Sequence, residues 1–300
     1  MSYSSYLLTG GTGFLGGAFR ACLSSKKIDT IGRSTDNTIR CDIAVDKPSI
    51  ENDYEVVIHN AGKAHSIPKT EEEIKSFFNV NYRGTVNLCE ALEGKLPRCF
   101  IFISTVAVYG LDRGEMISEQ SELLGTTPYS QSKIQAEEYL QRWASDKEVK
   151  LIILRLPLIA GKQPPGNLGA MIKGISKGYY FGIAGSKAKK SIVMASDIAS
   201  LVGQFTEETP AGIYNLTDGR HPSFKELELL ISRQLNKKTP MSLPYWVAIL
   251  LGKIGDIFSF FPINSLTVAK ITSSLTFDDT KARKALNWKP VEVKEAFKIH

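Results

Sequence analysis

Tyr129 and Lys133 stand four residues apart just after Thr127-Pro128, a sequence that opens a helix with proline at its first position. Side chains at that spacing share one helix face, so a phenol and an ammonium would project together. A neighbouring positive charge favours the phenolate, and drawing a phenol from its ordinary pKa of about 10 toward neutrality takes roughly 4 kcal/mol. Such a pair would carry a proton to or from an alcohol or ketone. The spacing alone says little, because a chain with 11 tyrosines and frequent lysine holds about one such pair by chance. Its company decides. The stretch Ile103-Ser104-Thr105-Val-Ala-Val-Tyr109-Gly110 would place Ser104 and Thr105 at the carboxyl end of a strand, where doubly wound sheets bind ligands. Their hydroxyls could hold a substrate oxygen for Tyr129, or simply cap the strand.

Near the N-terminus, Gly10-Gly-Thr-Gly13-Phe-Leu-Gly16 lies where a first strand would hand over to a first helix. Glycines at 10, 13 and 16 let the backbone turn tightly and approach a pyrophosphate, with free N–H groups at the helix start facing it. The end of the second strand should meet the adenosine ribose. There the chain reads Ile31-Gly32-Arg33-Ser34, with no carboxylate to select a free 2′-hydroxyl. Arg33 and Ser34 could instead hold a 2′-phosphate, which favours NADP(H) and leaves NAD(H) possible. Asp42 and Ile43, after a third strand, would border the adenine.

What must position these residues is an alternation of strands and helices. Apolar runs at 5–9, 28–31, 55–59, 99–104 and 150–154 alternate with helical patterns at 14–23, 77–92 and 133–143. The implied fold is α/β, a Rossmann-like doubly wound parallel sheet with a smaller C-terminal substrate-binding lobe. Residues 1–158 would form the dinucleotide-binding domain. Residues 191–218, with strands at 191–193 and 213–216 around a helix at 197–205, would return to it. The substrate lobe would take 159–190, with a short helix at 168–175, and 219–300. The apolar stretch 243–262, interrupted by Lys253 and Asp256, is too short to span a bilayer. It is expected to pack inside that lobe, with an interfacial contact as the alternative.

Composition excludes several classes. With 43% hydrophobic and 23% charged residues, the chain is neither disordered nor fibrous. Its 37 basic and 31 acidic side chains are too dispersed for a nucleic-acid footprint, while a mild positive excess suits a small anionic ligand. Four cysteines without CxxC spacing, and no leader-like N-terminus, read as reduced thiols in a cytoplasmic protein. No GxSxG or HExxH spacing supports a hydrolase, and no metal site is expected.

Taken together, these segments resemble the extended short-chain dehydrogenase/reductase family, in its group of NAD(P)-dependent nucleotide-sugar epimerases, dehydratases and 4-keto reductases. The resemblance rests on Thr9 to Gly16, Asn79-Val-Asn81-Tyr-Arg-Gly-Thr-Val-Asn-Leu88, Ser104 to Gly110, Pro128-Tyr-Ser-Gln-Ser-Lys133, Leu154-Arg-Leu-Pro157 and Leu286-Asn-Trp-Lys-Pro290. It implies that Thr105, Tyr129 and Lys133 are catalytic. It also implies a cofactor set of Gly10, Gly13, Phe14, Leu15, Gly16, Arg33, Ser34, Asp42, Ile43, Asn60, Ala61, Gly62, Ser104, Tyr129, Lys133 and Pro157. Asn81 would be architectural. His65, Thr105, Tyr129, Asn167 and Lys190 would meet a nucleotide-diphosphate sugar, although Lys190 replaces the arginine of relatives and loses its fork. A homodimer through the Tyr129 helix and the 77–92 helix is the family's usual assembly.

Within the group, 4,6-dehydratases carry Asp-Glu after the catalytic threonine, and reductases that also epimerise neighbouring carbons carry a cysteine two positions on. This chain has Val106 and Ala107. Redox at one carbon remains, as a 4-keto reductase transferring hydride to C4, or as a 4-epimerase with retained NAD. Arg33 tips the reading toward the reductase. A non-catalytic dinucleotide sensor is the alternative from another class, and it predicts damage at Thr105, Tyr129 or Lys133 that the chain does not show.

Overall fold

The computed structural model describes residues 2–257 and 264–299. The chain opens with β1 (Ser5–Thr9), an apolar run that ends in the glycine turn and enters α1 (Phe14–Cys22). Two strands follow, β2 (Lys27–Gly32) and the short β3 (Ile39–Arg40), before β4 (Val56–His59), which is buried throughout. Next come α2 (Glu71–Phe78) and α3 (Gly84–Ala91), joined by one π-helical turn at Asn79–Arg83. β5 (Cys99–Thr105), β6 (Gly114–Ile117), α4 (Pro128–Asp146) and β7 (Lys150–Leu156) complete the first half. The rest runs β8 (Leu158–Ala160), α5 (Gly166–Lys177), β9 (Gly182–Ile183), β10 (Ile192–Met194), α6 (Ala195–Gly203), β11 (Gly212–Asn215), α7 (Phe224–Gln234) and β12 (Ser242–Leu243). Then come α8 (Tyr245–Ile257), α9 (Ser265–Thr272), β13 (Leu275–Phe277), α10 (Thr280–Leu286) and α11 (Val293–Ala296).

Seven strands form one parallel sheet in the order β11-β7-β5-β4-β1-β2-β3. Alternate side chains feed two cores, as a strand's period of two requires. Ile101, Ile103, Ile152 and Leu154 join α1 and α6 on one face, while Phe100, Phe102 and Ile153 join α3 and α4 on the other. From β1 the chain builds outward to β2 and later to β4 on its opposite side. The crevice at the carboxyl ends of β1 and β4 is therefore the topological switch point.

Several elements differ from the sequence expectation. The helix expected at 77–92 begins at Glu71, because Thr70 caps the Glu73 N–H while the charged first turn hides the apolar pattern. It is then broken by the π turn. β11 joins the main sheet, whereas Ile192–Met194 pairs with β8 in a separate two-stranded ribbon. The apolar stretch from 243 packs inside the lobe only in part. α8 buries Ala248, Gly252 and Gly255, leaves Val247, Ile249 and Leu251 half-buried and turns Tyr245, Trp246, Leu250, Ile254 and Ile257 outward, because its contact with α9 at Gly252 is close enough to admit only a small residue. Residues 258–262 of that stretch lie outside the described residues.

α4 carries charge on its buried face, and the sheet answers it. Glu137 accepts from Arg155 of β7, with Nη2 to Oε2 at 2.6 Å and Nε at 3.2 Å from both oxygens. Ser104 donates to the same carboxylate, and Arg155 Nη1 donates to the Tyr109 hydroxyl at 3.1 Å, which in turn donates to Asn215 at 2.7 Å. This chain of bonds ties α4 to β5, β7 and β11. Arg155→Met would leave Glu137 buried without its counter-charge, and the expected loss is about 3–5 kcal/mol in urea unfolding. A loss below about 1 kcal/mol would mean that water reaches Glu137 and that the pair does not anchor the helix.

Candidate active site

The carboxyl ends of β1, β2, β4, β5 and β7 open into a cleft of about 970 Å³. Gly10 leaves β1 with φ +68°, a left-handed conformation, and a Cβ there would lie 2.9 Å from the Ala61 backbone. Gly16 is held as tightly, since a Cβ would come within 2.1 Å of the Gly10 carbonyl oxygen. Gly16 does not line the cleft; it lets α1 press against the turn. Gly13 caps α1 without a side-chain hydrogen bond, so the first N–H groups of the helix remain free for an anion.

Of the cofactor set implied by resemblance, Gly10, Gly13, Phe14, Leu15, Arg33, Asp42, Ile43, Asn60, Ala61, Gly62, Ser104, Tyr129, Lys133 and Pro157 line this cleft together. Ser34 does not, and its hydroxyl is bonded to Asp36. His65 and Thr105 line the cleft as well. Asn167, exposed near the start of α5, and Lys190, beside β13, are not among the lining residues. Beyond the end of β2, Arg33, Cys41 and Asp42 also border a second hollow of about 560 Å³ that adds Arg40, Asp46 and Lys47.

Tyr129, Thr105 and Lys133 converge as their positions require. Thr127 caps α4 by accepting from the Ser130 N–H, which fixes Tyr129 in the first turn. Burial pushes the Tyr129 phenol up, and the Thr105 hydroxyl beside it pulls it back down. Thr105 Oγ1 accepts the Ala107 N–H at 3.2 Å, which leaves its own proton to donate to the Tyr129 phenol oxygen. Lys133 Nζ donates to the Ile103 carbonyl at 2.8 Å and lies 4.3 Å from the centre of the Phe102 ring. Its burial draws the ammonium down to about 8, opposed by the Glu137 carboxylate. The lysine thus lines the same cleft as the phenol while its hydrogen bond is spent on the strand. Ser104 lines the cleft, yet its proton goes to Glu137.

Sequence reasoning passed over His59 because it ends an apolar strand. The ring is fully buried between Thr9 Oγ1, 2.7 Å from Nδ1, and Thr85 Oγ1, 2.9 Å from Nε2. Thr85 donates to the Asn81 carbonyl, so it must accept from Nε2–H; Nδ1 must then accept the Thr9 proton. Thr9 Oγ1 in turn accepts the N–H groups of Asn60 and Ala61. A single neutral tautomer therefore links the glycine turn, the loop after β4 and the π turn. Asn81 extends the network, accepting the Lys63 N–H and donating to Lys63 O and to Ser132 Oγ on α4. Burial, with the Lys133 charge added, lowers His59 to about 3.

Elsewhere Ser191 Oγ lies 2.9 Å from His221 Nδ1, beside Asp218. This is no nucleophilic triad. Ser191 accepts the Phe277 N–H, and the Asp218 carboxylate accepts the backbone N–H groups of Arg220, His221 and Val293.

Comparison with known proteins places these residues in context. A family model described as the NAD dependent epimerase/dehydratase family matches residues 6–217. The 4-epimerase of N-acetyl-α-D-glucosaminyl-diphospho-ditrans,octacis-undecaprenol from Escherichia coli O157:H7 is 31% identical over 215 residues, which cover 68% of this chain. They cover 65% of that enzyme, a little under two thirds of its length. UDP-glucose 4-epimerase of Vibrio cholerae is 27% identical, with 98% of this chain and 93% of that one covered. The solved UDP-N-acetylglucosamine 4-epimerase of Methanobrevibacter ruminantium M1, in complex with UDP-N-acetylmuramic acid, superposes with a TM-score of 0.75. That match covers 98% of this chain and 95% of the other; at 19% identity it speaks for the fold. The chain belongs to the NAD dependent epimerase/dehydratase family.

The His59 network has a pH signature. Because the folded pKa lies far below the unfolded value of about 6.5, the unfolded chain binds the extra proton. The stability that neutral His59 contributes is complete above that value and is lost as pH falls toward 3. Between pH 6.5 and 5, where most carboxylates stay ionised, the expected loss from this group is about 1.6 kcal/mol. Urea unfolding of His59→Gln should show a correspondingly flatter slope than the parent, and equal slopes would mean that the histidine titrates in the folded protein.

Proposed function

We propose that this family member is a 4-epimerase of a sugar carried on a diphosphate, working by reversible oxidation at C4 with a dinucleotide retained in the cleft. The observation that carries the reading is the meeting of Tyr129, Thr105 and Lys133 at the mouth of the glycine turn, with no further acid or base at Val106 or Ala107. Those two positions do not line the cleft, so elimination of water lacks the groups it requires. The E. coli and V. cholerae relatives are both 4-epimerases, one of a lipid diphosphate sugar and one of a nucleotide sugar. The diphosphate is what the two substrates share.

The residues present suit a dinucleotide: close-approach glycines, free helix N–H groups, and Arg33 where β2 ends. When bound, that group supplies the reversible two-electron exchange at C4. The protein's own part is proton management. Tyr129 takes the proton of the C4 hydroxyl as the carbon is oxidised and returns it when the ketone is reduced from the other face. Thr105, which donates to the Tyr129 phenol in this structure, would turn its hydroxyl to the same substrate oxygen and hold it. Lys133, fixed by Ile103, keeps a positive charge in the same cleft as the phenol and so makes the phenolate accessible. Inversion needs the ketone to turn over between the two half-reactions, so the diphosphate must be gripped and the sugar must not be.

A second reading, a 4-keto reductase using NADP, is favoured by one observation, Arg33 and Arg40 at the edge of the second hollow, where Asp42 and Asp46 also stand and Lys47 is paired with Glu90. The two differ in stoichiometry. Purified protein incubated with UDP-N-acetylglucosamine or its polyprenyl diphosphate counterpart should form the 4-epimer with no added coenzyme, and denaturation should release a dinucleotide. Tyr129→Phe should retain the dinucleotide and lose about 100-fold or more in turnover. Unchanged turnover in that variant would remove Tyr129 from the chemistry, and consumption of one reduced coenzyme per product when the corresponding 4-keto sugar is supplied would establish the reductase.

A further inference from the structure

α8 is packed inside out. Its small residues Ala248, Gly252 and Gly255 face the protein, where a Cβ at Gly252 would meet the backbone of Ser265 at 3.1 Å. Trp246, Leu250, Ile254 and Ile257, spaced as one stripe of a helix, face outward with Tyr245, and Trp246 and Ile257 are 69% and 76% exposed. Met241 before the helix and Leu266 on α9 enlarge the patch. A helix meant for water would do the opposite and bury its tryptophan and leucines.

Charge identifies what covers it. Between residues 233 and 277 the chain carries Arg233, Lys237, Lys238, Lys253 and Lys270 against Asp256 alone. Asp256 accepts the Ser265 N–H and so is directed toward α9, and among these cations the described residues pair only Lys270, with Asp112 at 3.2 Å. Lys253 lies within the apolar stripe, where its stem can lie along Leu250 and Ile254 while its ammonium reaches outward. Lys237 and Lys238 are exposed in the loop that leads into Tyr245 and Trp246, the two residue types that settle at a lipid headgroup boundary. A second copy of the same basic face would be repelled. At about 1.5 Å per residue α8 is far too short to cross a bilayer and would lie within its surface.

We propose that the outward stripe of α8, with Lys237, Lys238 and Lys253, docks this protein on an anionic phospholipid membrane. The proposal does not rest on the 4-epimerase reading. Trp246 reports on it directly, since Trp143 and Trp288, the other two tryptophans of the chain, are buried. Full-length protein should sediment with vesicles of phosphatidylcholine and phosphatidylglycerol in low salt, with a blue shift of Trp246 emission, and much less with phosphatidylcholine alone. A Leu250→Ser, Ile254→Ser variant, which keeps the tryptophan, should bind about tenfold or more weakly with its melting temperature maintained. Lys237→Glu, Lys238→Glu should weaken binding to anionic vesicles about tenfold and leave the small affinity for neutral ones unchanged. Absence of vesicle binding, equal binding to neutral vesicles, or a change of oligomeric state in place of binding when the stripe is altered would overturn the proposal.

Discussion

A cation inside a protein must be held, and the burial of the Lys133 ammonium is the constraint around which this fold is arranged. Removing an ammonium from water costs several kcal/mol unless partners replace the solvent. Here the replacements are the Ile103 carbonyl, the face of Phe102 and the field of Glu137 one turn further along α4. Glu137 brings the same problem with the opposite sign. Arg155 and Ser104 answer it, and Tyr109 and Asn215 answer Arg155 in turn. The buried face of α4 is polar at Ser130, Ser132, Lys133 and Glu137, and β5 and β7 beneath it receive the charges of Lys133 and Glu137. The helix can then dock in one register only, and that register delivers Tyr129 to Thr105.

A second network holds the cofactor side with neutral groups. His59, Thr9, Thr85 and Asn81 form a directed series of hydrogen bonds in which every proton has one place to go. It secures the loop after β4 to the glycine turn from beneath and, through Ser132, reaches α4. The π turn at Asn79–Arg83 carries Asn81, and Thr85 in the first turn of α3 donates back to the Asn81 carbonyl four residues earlier. Cofactor floor and proton carrier are thereby joined through side chains, and the Lys133 charge, which helps to keep His59 neutral, links this network to the charged one.

The strands and the chemistry-bearing side chains were legible in the sequence for a plain reason. Buried parallel strands are continuous apolar runs, and the glycines at 10 and 16 stand where no Cβ fits. What the sequence concealed were properties of partners. Ser104 reads as a cleft hydroxyl until Glu137 is seen to take its proton. His59 reads as one more buried strand residue until the two threonines fix its tautomer. The early turns of α2 are charged, so its start carries no apolar period. α8 misleads most, because hydropathy says that a segment will avoid water and says nothing of what it will avoid water with. Choosing between the two C4 chemistries was equally out of reach, since epimerase and reductase require the same three side chains and differ in how the ketone turns within the cleft.

The central claim is that redox at C4 occurs on a sugar enclosed with its coenzyme, with Tyr129 moving only the hydroxyl proton. Its most direct test is the fate of deuterium placed at C4 of the UDP-hexose substrate, read by mass spectrometry of the 4-epimer formed in ordinary water. Hydride exchange with an enclosed coenzyme requires the label to return to the carbon it left, with full retention over many turnovers and no incorporation from solvent. Washing out of the label into water would show that a base removes the C4 hydrogen as a proton, which contradicts transfer of that hydrogen as hydride.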